Sequence, residues 1–176
     1  PEVMKIWDGM LQNGQTVMAY CGSDAHGSSL KIGPLRIPVL SYALSFRLLN
    51  VHILSPAPLS KDSEQDARVI YDCLRQGRFW MACDYPVKSR GFQCQVESGD
   101  QTYSMGSQIP RQPGTWLKVN TPRKALVQLI HNGQICSRST GREHLFPLSA
   151  EGVYRLEVLR LPGKRPWIYT NPWWII

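Results

Sequence analysis

The 176-residue chain contains no CxxC pair, no His-x-His and no glycine-rich phosphate loop of either common type. Its five cysteines, Cys21, Cys73, Cys83, Cys94 and Cys136, form an odd, widely spaced set that suggests neither a structural zinc site nor a disulfide framework. They read as reduced, mostly buried thiols, which leans the chain toward the cytoplasm. No apolar run is long enough to span a bilayer: the stretch 36–54 is broken by Arg36, Pro38, Arg47 and His52, and the apolar end at 173–176 is short. The opening "PEVMKIWDGM" lacks the basic, apolar and small-residue regions of a signal peptide. It does not begin with Met either, and the chain is expected to be a piece of something longer.

What is present is enough apolar material for a proper core, 43% of residues, and a net charge of +7. The basic residues are scattered. "KSR" at 88–90, "PRK" at 122–124 and "GKR" at 163–165 sit in turn-like contexts and read as solvated loops, so nucleic acid is a less favoured partner than a small molecule.

Residues 3–13 space Val3, Met4, Ile6, Trp7, Met10 and Leu11 by threes and fours, and Asn13-Gly14 follows as a stop, which predicts a helix. "TVMAY" at 16–20 is apolar without alternation and reads as a buried strand. The stretch 27–40 is rich in Gly and Pro and reads as a long ordered loop, followed by a short helix in "LSYALSFRLLN". A second clear helix covers 62–76, with Ser63 and Asp66 as capping signature, Ala67, Ile70, Tyr71 and Leu74 on one face, and Gly77 as terminator. "SPAPLS" at 55–60 is an extended spacer before it.

From Arg78 onward short β-rich runs alternate with turns, at 78–84, 91–97, 115–120, 125–139, 144–148, 152–161 and 166–170. Asn132-Gly133 within the fourth is a strong hairpin signal. In "VYRLEVLRL", apolar residues interleave with Arg155, Glu157 and Arg160, predicting one buried and one wet face. This pattern predicts an antiparallel sandwich of immunoglobulin-like type. Trp167, Trp173 and Trp174 are expected to fill its core rather than form a stacking platform.

The chemistry-bearing stretch is "AYCGSDAHGSS" at 19–29. Two residues apart at the end of a strand, Asp24 and His26 would point the same way and offer one oxygen and one imidazole nitrogen to a zinc, manganese or iron ion. A surface loop or a helix N-cap is the alternative for the same residues. Ser23 lacks the second glycine of a nucleophile elbow, and Cys21 has no base near it in sequence. His52 reads as a core or loop histidine, His131 and His144 as exposed. Glu2, Asp8, Glu64, Asp66 and Asp72 read as exposed helical carboxylates, and Asp84 as a turn residue or a ligand.

"GSDAHG" at 22–27, "LRQGRFWMACD" at 74–84 and "GVYRLEVLR…PWIYTNPWW" at 152–174 together resemble the C-terminal part of the PHP (polymerase and histidinol phosphatase) metal-dependent phosphoesterases, in the branch with a β-sandwich after the barrel. The resemblance implies an α+β chain: a remnant of a distorted α/β barrel over 1–77, then a β-sandwich over 78–176. It implies that Asp24 and His26 are the last two metal ligands of the whole protein and that divalent zinc, manganese or iron is its cofactor. The substrate would be a phosphate ester or related small molecule. The His-x-His and following Asp that supply the family's first ligands are not in this chain, so by itself it is expected to be inactive or nearly so. An open sheet edge in the remnant would favour a homo-oligomer. The competing reading is a non-catalytic β-sandwich module that binds a carbohydrate, a protein or a polyanion.

Overall fold

A computed structural model describes residues 2–27, 29–39 and 41–176, with nothing said of the side chains of Arg36 and Pro38. In chain order its elements are α1 (Glu2–Gln12), β1 (Ser29–Ile32), β2 (Leu35–Pro38), α2 (Tyr42–Leu48), β3 (Leu49–Ile53) and α3 (Ser63–Arg75). There follow β4 (Phe79–Cys83), β5 (Gln93–Ser98), β6 (Gln101–Tyr103), β7 (Gln108–Ile109), β8 (Trp116–His131), β9 (Gln134–Pro147), β10 (Gly152–Arg160), β11 (Arg165–Thr170) and β12 (Trp173–Ile175). This is a β-rich α+β fold. None of its helices is long and apolar enough to cross a membrane.

All strands but β1 and β2 join one curled sheet, ordered β3-β4-β11-β10-β8-β5-β6, with β9 on β8 and with β12 linking β10 to β7. The curl arises in β8. Its first half pairs with β5 and its second half with β10, while β9 runs along its other edge throughout, and the register breaks between Asn120 and Ala125. The runs expected at 115–120 and 125–139 are therefore divided differently: 116–131 is one long bent strand, and 134–147, which takes in most of the run expected at 144–148, is its hairpin partner. "PRK" at 122–124 lies in the bend of β8 rather than in a loop. The hairpin turn is where the sequence places it, with Asn132 at φ 47° and Gly133 at φ 74°, the left-handed pair that a two-residue turn needs.

The core lies inside the curl. Val127 and Leu129 of β8, Leu156 and Val158 of β10, Ile168 of β11 and Val96 and Leu117 of the other half all pack there, with Trp167 and Trp173 fully buried among them. Trp167 and Trp173 fill the core as expected, whereas Trp174 is only partly buried and packs on the outer side against the cluster of Trp7, Leu11 and Val153.

The outer face of β10 is not wet. Val153 and Arg155 project from it, alternating with the inward Tyr154 and Leu156, and α1 covers them: Trp7, Leu11 and Val153 form a second small cluster. Arg155 is buried at 3% exposure because Asp8 of α1 meets its guanidinium and Trp7 stacks over it, 5.3 Å from the ring centroid. The expectation of exposed Asp8 and Arg155 is thus corrected by one contact.

Several local expectations also change. Residues 16–20 form no strand. Their backbone is bonded to side chains instead, Val17 O accepting from Trp7 Nε1 (2.8 Å) and Ala19 N donating to Asn171 Oδ1 (3.0 Å), while the Tyr20 hydroxyl donates to Leu74 O. The stretch read as a loop over 27–40 contains the β1–β2 hairpin; Ser28 and Leu40, at its margins, lie outside the described residues. Leu30, Ile32, Leu35 and Ile37 share one face of that hairpin and are exposed.

α2 is shorter than the run read as a helix, because Leu49 already starts β3. The N-cap of α3 is Asp62, which accepts from Glu64 N and Gln65 N, whereas Asp66 turns back to Ser60 N and Lys61 N. His144 of β9 is buried, not exposed; burial holds its imidazole below the ordinary histidine range, though a backbone hydrogen bond with Gly141 opposes this. All five cysteines are free, but only Cys73 is fully buried and Cys136 is exposed.

Candidate functional site

Asp24 and His26 stand in an irregular, exposed segment rather than at a strand end. Asp24 adopts φ 47°, and this left-handed bend, not an extended backbone, brings the two side chains together. His26 Nδ1 lies 3.4 Å from Asp24 Oδ1 and 2.6 Å from the Asp24 carbonyl oxygen. The ring nitrogen near that carbonyl is the one that donates, which leaves Nε2 with the free lone pair. Both side chains face solvent, at 69% exposure for His26 and 91% for Asp24. Carboxylate plus imidazole suits a borderline divalent cation, and the tautomer is the one a ligand requires. Among the described residues, however, no group of three or more His, Cys, Asp or Glu side chains able to hold a metal ion is gathered, and two side chains alone fall short of the four or more ligands that a catalytic ion takes.

A more elaborate cluster forms where β3 and β4 meet. In the antiparallel register Asn50 faces Ala82 and His52 faces Trp80, so Asn50, His52, Trp80 and Ala82 share a face, and Asp84 follows on the same side just past the end of β4. His52 Nε2 is 2.7 Å from Asp84 Oδ2, and Asn50 Nδ2 donates to the same oxygen at 3.1 Å. The other carboxylate oxygen accepts from Ser89 N at 2.7 Å. The His52 ring lies parallel to that of Trp80, with centroids 4.9 Å apart. Burial alone would raise the Asp84 carboxyl, but the Ser89 backbone and hydroxyl hydrogen bonds and the neighbouring His52 more than offset it, and the net shift is downward.

Asp84, His52 and Ser89 are the residue types of a nucleophilic triad, but the geometry is different. A triad needs the carboxylate on one ring nitrogen and the hydroxyl on the other. Here Ser89 Oγ (3.1 Å) and Asp84 both approach Nε2, so the imidazole is not aimed to take the serine proton. Nδ1 of His52 has no hydrogen-bond partner among the described residues. The cluster fixes the 84–91 turn, which is tied further by Trp167 Nε1 donating to Val87 O and by Arg160 donating to Tyr85 O.

No local pattern marks this cluster. His52 and Asp84 are 32 residues apart, and only the β3–β4 register joins them. The remaining candidates do not converge: His131 Nε2 donates to the Glu151 carbonyl oxygen, and Glu64 and Asp72 pair with arginines of their own helix. Comparison of the chain with protein-family models, curated proteins and solved structures finds no match to any of them.

Proposed function

We propose that the chain is the C-terminal part of a PHP-type metal-dependent hydrolase, a phosphoesterase, with Asp24 and His26 as the last two ligands of its metal cluster. The curled sheet takes the place of the accessory β-sandwich, and the other ligands come from outside residues 1–176. The observation that carries this reading is the orientation of His26: the Asp24 carbonyl engages Nδ1, beside which the Asp24 carboxylate also lies, and Nε2 is left free on a solvent-facing ring. Such pre-set tautomers accompany metal-binding histidines. The bound ion would lower the pKa of a water toward neutrality and polarise a phosphate oxygen. The chain's own part is to hold one carboxylate and one imidazole at a fixed separation, and the sheet needs no chemistry of its own.

The test is phosphate-ester hydrolysis by the whole protein with manganese or zinc. Asp24→Asn and His26→Ala should each lower kcat/KM by about 100-fold or more without moving the thermal midpoint, because both side chains are exposed. Full activity in either variant would overturn the assignment.

A further inference from the structure

The open groove of about 910 Å³ between α2, β3 and the 84–90 turn carries a charge that its own contacts do not cancel. Among the described residues Asp84 is the sole carboxylate lining it, and both of its oxygens are already filled by Ser89, Asn50 and His52. Arg47, Lys88 and Arg90 also line it, are exposed, and make no ion pair among the described residues. Three unpaired cations around one concavity repel each other, and an entering dianion relieves that repulsion while accepting charge-assisted hydrogen bonds. Two large aromatic side chains stand at the same rim, Phe46 at 63% and Tyr85 at 49% exposure, the Phe46 ring lying beside that of Tyr42 with centroids 6.3 Å apart.

We propose that this groove binds a phosphate ester carrying a flat ring, the phosphate held by Arg47, Lys88 and Arg90 and the ring set against Phe46 and Tyr85. A free aryl or nucleoside phosphate and a single-stranded nucleic acid both present that chemistry. Ring stacking on an aromatic face strengthens binding substantially, whereas inorganic phosphate offers only the charge. Because no metal is required, the site stands independently of the proposed metal ligands.

Calorimetric titration of the chain in EDTA at low salt, with inorganic phosphate, phenyl phosphate and an oligothymidylate, tests it. Phenyl phosphate should bind saturably, one per chain, and about tenfold tighter than inorganic phosphate. Lys88→Glu with Arg90→Glu should weaken it by about tenfold or more, while Arg123→Glu with Lys124→Glu, at the bend of β8, should leave it unchanged. Phe46→Ala should erase the preference for phenyl phosphate over phosphate, and it serves as a second variant because that side chain is exposed. Oligothymidylate binding that falls steeply with salt and disappears in the Lys88/Arg90 variant would support the site with nucleic acid as its ligand. Phenyl phosphate binding without it would support the site with a small ester. Absence of saturable phenyl phosphate binding, or equal affinity in the Lys88/Arg90 variant, would overturn the proposal.

Discussion

Asp8 and Arg155, 147 residues apart, meet in a two-point ion pair, Nε to Oδ1 at 2.7 Å and Nη2 to Oδ2 at 2.8 Å, with Glu157 taking Nη1 at 2.7 Å. Water is excluded from it: Arg155 is almost wholly buried and the Asp8 side chain nearly so. The pair fixes α1 against the outer face of β10, and Trp7 and Leu11 then seal the apolar part of that face.

Removing one partner leaves the other charged and buried. Asp8→Ala should therefore cost about 3–5 kcal/mol in urea unfolding. Replacing both, with Asp8→Ala and Arg155→Met, should recover part of that loss, because no buried guanidinium is left without Asp8, while Glu157 loses its partner in exchange. Equal stability of the single and double variants would show that the helix, not the charge pair, sets the cost.

Asn171 is fully buried and joins two distant segments, accepting from Ala19 N at 3.0 Å and donating to Phe79 O at 3.2 Å. Asn171→Leu strands both backbone groups and should cost about 2–4 kcal/mol. Hydrogen exchange gives the sharper readout: the Ala19 amide should lose protection first, while the β8–β9 amides keep theirs. Uniform loss across the chain would contradict this local role.

Acidification should act on the β3–β4 corner in a defined window. The Asp84 carboxyl sits below its ordinary range in the folded protein, so it binds fewer protons there than in the unfolded chain. Its stabilisation is complete above the ordinary carboxylate pKa, about 4, and is lost as pH falls through the lower folded value. Asp84→Ala should cost about 1–3 kcal/mol at pH 7, leaving Ser89 N, Asn50 and His52 without their acceptor. The gap between wild type and variant should narrow only below about pH 4. A gap that has already closed well above that pH would show that the Asp84 carboxylate is not the source of the effect.

Some of this architecture is legible in the chain itself because it depends on near neighbours. The three- and four-residue spacing in 2–12 and 63–75 makes α1 and α3, the Asn132-Gly133 pair reverses the chain, and the interleaving of apolar and charged residues marks β10. The Asp24 and His26 side chains are neighbours for the same reason, although a left-handed bend brings them together and not the extended backbone that alternation assumes. Local pattern does not state which surface covers which. Whether Arg155 meets water or Asp8 depends on where α1 lands. Whether 16–20 pairs as a strand or hangs on Asn171 depends on the turn after β11. His52 and Asp84 become one cluster only through the register of two strands separated by a helix. Periodicity and turn chemistry act over a few residues and are written into the order of amino acids. Burial and charge pairing across the fold are settled by the free energy of the whole arrangement, which the curled sheet alone decides.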